Sequence, residues 1–135
     1  MGRVGSGKDG GVNDEKAYSA ATACQIAGIN QSSLRTLIQR GEYPWAPEKN
    51  NSGRRQFRFG DIVILHIFVR ARVFFRTEQL YRIMNSILEA ISENQDVKFV
   101  VLNTPGLSIE INVAFSQRQV GDAIVTNTLL RKLRP

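Results

Sequence analysis

The sequence predicts an α+β fold in which short helices come first and a β-hairpin with a closing helix comes last. Three observations predict it. Two short capped segments meet at a glycine between residues 19 and 41, residues 77–91 carry apolar side chains at helical spacing, and residues 107–115 alternate apolar with polar at a period of two. The chain has 135 residues, 42% of them apolar, which suits one domain with a small appended module and excludes two large independent cores.

Residues 1–16 are glycine-rich, hold almost nothing to bury, and read as a flexible arm. Gly2 to Lys8 matches the G-x-x-x-x-G-K part of a phosphate-binding loop. Asp9, however, stands where a Ser or Thr would help hold magnesium, and no helical pattern follows, so nucleotide binding is not expected. Ser19 is a good N-cap for a helix over 20–27 that stops at Gly28. Asn30 caps a second helix over 31–40, stopped by Gly41, with Leu34, Leu37 and Ile38 on one buried face.

Tyr43, Pro44, Trp45 and Pro47 break the helical pattern, and the turn residues Asn50, Asn51, Ser52 and Gly53 lead into a strand-like segment at 54–59, which predicts a hairpin with a basic tip. Residues 61–75 fit either a buried strand or a helix by pattern, and their length favours a helix. Thr77 is expected to cap the next helix, whose stripe is Leu80, Ile83, Met84, Ile87, Leu88 and Ile91. After a polar break at 92–96, strands are expected at 97–102 and 107–115 around the turn Asn103, Thr104, Pro105 and Gly106. A helix at 119–133 is expected to follow.

The formal charge of +6 is regional. From Lys16 to Arg76 ten Lys and Arg face three acids, whereas the rest of the chain holds eight against nine. A basic excess confined to one segment is the electrostatic footprint of a nucleic-acid surface, or of a solvated basic face. Cys24 is the only cysteine, so neither an internal disulfide nor a multi-cysteine zinc site can form within one chain, and a reducing cytoplasmic setting is the simpler expectation. The apolar run 62–69 is interrupted by His66 and is far shorter than the roughly 20 residues of a membrane span. With one His and one Cys, no motif assembles an acid, a base and a nucleophile, so neither catalysis nor a cofactor is expected.

Taken in order, residues 18–91 read helix, glycine turn, helix, basic hairpin, helix, helix. Tyr18 and Ser19 stand at the entry, Gly28 and Ile29 at the turn, and Ser33, Leu34 and Arg35 open the second helix. Gly41 closes it, Ser52, Gly53, Arg55 and Phe57 follow in the hairpin, and Asp61 and Ile62 stand inside the third helix. On these residues the segment resembles the winged helix-turn-helix DNA-binding domain of MerR-like regulators and their excisionase-like relatives. The resemblance covers a little over half the chain and divides it into an arm at 1–16, a DNA-binding domain at 17–92 and a β-β-α module at 93–135. Three features depart from the family: Thr36, Leu37 and Ile38 stand where it commonly has an aromatic pair and an acid, the cysteines that its metal and redox sensors use near the C-terminal end have no counterpart in the sequence, and the module replaces its long terminal helix.

The residue types carry the same expectation on physical grounds. A helix of about three turns fits the major groove, where Gln pairs with adenine and Arg with guanine in bidentate fashion. Asn30, Gln31, Ser32, Ser33, Arg35, Thr36 and Gln39 are therefore the candidate base-facing residues, with plain helix capping as the competing role of Asn30 and Ser32. Lys49, Arg54, Arg55 and Arg58 surround the hairpin turn and suit backbone phosphates, or simply keep an exposed edge soluble. Arg70, Arg72 and Arg76 either extend this surface or pair with acids on the next helix, and His66 and Cys24 are expected in the core. The expected partners are double-stranded DNA and a second copy of the chain, with a protein partner for the C-terminal hairpin as a further option. The expected role is transcriptional regulation, with architectural DNA bending and protein interaction as alternatives.

Overall fold

The computed structural model describes residues 16–133, so the predicted arm and its phosphate-loop-like motif fall almost entirely outside the described residues. The order is α1 (Ala20–Ala27), α2 (Gln31–Gln39), α3 (Phe59–Ala71), α4 (Thr77–Glu93), β1 (Phe99–Thr104), β2 (Leu107–Asn112) and α5 (Val113–Leu133), an α+β arrangement with one antiparallel hairpin.

The first two helices form where local chemistry places them. Ser19 accepts from the Thr22 amide at 3.1 Å, and Gly28 closes α1 in the left-handed region at φ 86°. The Asn30 side chain accepts from the amides of Ser32 at 2.9 Å and Ser33 at 3.3 Å, which starts α2. Arg70, left open between two surface roles, instead donates to the Ala27 carbonyl at 2.9 Å and so satisfies the end of α1 from α3.

Residues 43–58 correct the expected hairpin. Instead of a ladder there are two isolated bridges, Tyr18 with Phe57 and Lys49 with Arg55. Pro44 and Pro47 have no N–H to offer. Asn50 turns the chain through its side chain, accepting from the amides of Ser52 at 2.9 Å and Arg54 at 3.1 Å, with Gly53 at φ 78°. Tyr43 is fully buried and meets Phe68 and Trp45 edge on, at 4.7 and 5.2 Å between ring centres. Trp45 Nε1 donates to Asn85 at 3.1 Å, tying this loop to α4.

α3 begins at Phe59, inside the segment expected as strand, and ends at Ala71, earlier than expected. It is buried without interruption from Ile62 to Phe68, because α1, α4 and α5 all pack on it. That central position is why its apolar pattern has no single face. Thr77 is the first helical residue of α4 and not its cap; the Gln79 side chain accepts from the Arg76 amide at 3.3 Å.

The second β-strand stops at Asn112, and residues 113–115, expected as strand, open α5. Asn112 accepts from the Phe115 amide at 2.8 Å, and Val113, Ser116, Val120 and Ile124 then line the core at helical spacing. Val113 fits either period, but Phe115 is exposed and the alternation ends there. Pro105 and Gly106, with Gly106 at φ 80°, make the two-residue turn between the strands. No helix is long and apolar enough to cross a membrane among the described residues.

Candidate nucleic-acid interface

α2 lies on the surface. Leu34 is its one buried residue, Leu37 and Ile38 are half-buried, and Gln31, Ser32, Ser33, Arg35, Thr36 and Gln39 are exposed. Leu34, Leu37 and Ile38 turn one face inward, so Ser32, Arg35, Thr36 and Gln39, at i, i+3, i+4 and i+7, share the opposite one.

Three of these polar side chains are already engaged. Asn30 Oδ1 takes the Ser32 hydroxyl at 2.6 Å as well as two amides, and the Thr36 hydroxyl donates to the Ser32 carbonyl at 3.0 Å. Capping is therefore the structural role of Asn30, and Ser32, inside the helix, donates to that cap through its amide and hydroxyl. The side chains of Gln31, Ser33, Arg35 and Gln39 have no hydrogen-bond or ion-pair partner among the described residues.

A cleft of about 620 Å³ runs between α2 and the 49–57 loop. Gln31, Arg35 and Gln39 line one wall, and Lys49, Arg54 and Arg55 line the other. Among the described residues no carboxylate lines it. Four cationic groups held around one cavity, with no acid among the described residues that line it, give a positive potential that an anionic backbone can relieve.

The four loop cations differ. Lys49 and Arg54 are exposed, and their side chains have no polar partner among the described residues. Arg55 is half-buried and donates to the Pro47 carbonyl at 2.6 Å, so it holds the loop in shape as well as adding charge. Arg58 lies outside the cleft at the start of α3, where its amide donates to Asp61 at 2.9 Å. Asn30, Ser32, Ser33 and Thr36 also lie outside the cleft lining.

Gln56 lines the cleft and was not singled out from sequence. Its signal is the in-out alternation that buries Phe57 and turns its neighbour outward. His66 and Cys24 are core residues, as expected. His66 Nδ1 sits 3.0 Å from Ser116 Oγ between α3 and α5, and burial, aided by the Arg70 charge, pulls its pKa down to about 4. Burial likewise pushes the Cys24 thiol up, away from reactivity at neutral pH. No family model and no curated protein matches the chain.

Proposed function

We propose that the chain binds double-stranded DNA in a sequence-dependent way and acts as a transcriptional regulator without catalysis. α1 and α2 serve as a helix-turn-helix and the 49–55 turn as its wing, the arrangement of the MerR-like and excisionase-related proteins that residues 18–91 resemble. The observation that carries this reading is the exposed polar face of α2 bordering a cleft with Lys49 and Arg54 opposite and no carboxylate among the described residues that line it.

In this reading α2 enters the major groove. Arg35, Gln31 and Gln39 meet base edges there, while Lys49 and Arg54 grip the flanking phosphates and fix the register. The protein works in the cytoplasm at the nucleoid. A homodimer would set two α2 helices on half-sites one helical turn apart, and exposed Val125, Leu129 and Leu130 on α5 offer apolar surface for it. Sedimentation is expected to give a dimer mass at micromolar concentration; a monomer throughout would remove the dimer from the proposal.

Selection of bound duplexes from a random pool tests the central claim. A recurring motif is expected, with apparent affinity that falls steeply as salt rises. Equal retention of all sequences would exclude sequence reading, and an architectural bending role would then be the better description. A second reading, protein interaction, draws on the outer face of the β-hairpin, where Phe99 and Val101 are exposed on a sheet of only two strands.

A further inference from the structure

The last turns of α5 cross α1 beside its start, and a smaller cleft of about 180 Å³ opens at the crossing. Lys16, Ser19, Thr22, Asn127, Thr128 and Arg131 line it, and among the described residues no carboxylate does. Arg131 donates to the Thr22 hydroxyl at 3.5 Å, and Lys16 Nζ stands 5.5 Å from the centre of the Tyr18 ring. Neither cation has an acidic partner among the described residues.

Ala17, Tyr18 and Ser19 line both this cleft and the larger one. Lys16 and Arg131 on one cleft and Lys49, Arg54 and Arg35 on the other therefore border the same stretch of chain at the entry of α1. Hydroxyls and an amide between two cations are a donor set that phosphate oxygens take. The cleft is also too small for a nucleotide with its base, sugar and phosphate enclosed.

We propose that this cleft holds a backbone phosphate of the same duplex, on the flank beyond α1, so that the C-terminal helix belongs to the DNA footprint. The inference rests on the DNA-binding reading above and extends it by one contact that residues 18–91 alone would not make. Each phosphate neutralised contributes about 0.9 to the slope of log affinity against log salt.

Titrations of duplex DNA over a range of salt, with wild type, Arg131→Ala, Lys16→Ala, Arg131→Lys and Arg54→Ala, test it. Arg131→Ala and Lys16→Ala are expected to lower the slope by about one and to weaken all sequences evenly, whereas Arg131→Lys retains the slope. Trimming the duplex on that flank should erase the difference between wild type and Arg131→Ala. A wild-type slope in both alanine variants, with a lowered slope in Arg54→Ala, would overturn the inference while leaving the DNA reading intact. Stabilisation of wild type but not Arg131→Ala by inorganic phosphate, without any change in slope, would assign the cleft to a small anion and overturn it equally. Failure of the wild type to bind any duplex at low salt would remove both. Lys16 is exposed and its side chain makes no hydrogen bond among the described residues, so its variant carries the test even if Arg131→Ala unfolds.

Discussion

Arg35 projects from the exposed side of α2 without an acceptor among the described residues, and a bidentate arginine contact with guanine discriminates by about 1–3 kcal/mol. Arg35→Ala is therefore expected to narrow the gap between a selected duplex and a scrambled one by roughly that amount, measured by anisotropy at one fixed salt. His66 makes a prediction about stability instead. Its folded pKa lies near 4, below the ordinary 6.5, so the unfolded chain binds more protons between those values. The contribution of His66 is complete above pH 6.5 and is lost as pH falls towards 4, on the order of 3 kcal/mol in all. Denaturant melts across that window should show wild type losing more stability than His66→Gln; parallel losses in the two proteins would place the acid sensitivity elsewhere.

At the scale of the element, the 49–55 turn divides its work between two adjacent arginines. The Arg54 side chain is exposed and has no partner among the described residues, whereas Arg55 bonds the Pro47 carbonyl. Arg54→Ala is expected to lower affinity for every duplex and reduce the salt slope by about one, leaving the thermal midpoint in place. Arg55→Ala should do more: with the bond to Pro47 gone, amide exchange across 47–55 is expected to accelerate before any DNA is added. Equal exchange in the two proteins would show that Asn50 and Gly53 hold the turn by themselves.

For the molecule as a whole, α5 is not an accessory. Val113, Val120 and Ile124, with Val100 from β1, join the core that α1, α3 and α4 share. Burial of such side chains is worth about 1.5–3 kcal/mol each, and the four together rival a total stability of about 5–15 kcal/mol. A chain cut after Glu93 is therefore expected to lose its cooperative unfolding transition and expose α3. Retention of that transition in calorimetry would show that residues 16–93 form a self-sufficient core.

Capping and turn chemistry are local, and where they decide the outcome the sequence is explicit. Ser19, Gly28, Asn30 and Gly41 bound α1 and α2 because each acts on amides or torsions within four residues. The exposed polar face of α2 follows from the spacing of Leu34, Leu37 and Ile38 alone. Other features depend on partners distant in the chain. Arg70 bonds Ala27, His66 meets Ser116, and Trp45 meets Asn85, so the roles of these side chains were fixed only when α3, α4 and α5 came together. The gathering of cations around Ser19 has the same origin, since it brings Arg35, Lys16 and Arg131 together from three segments that no periodicity connects.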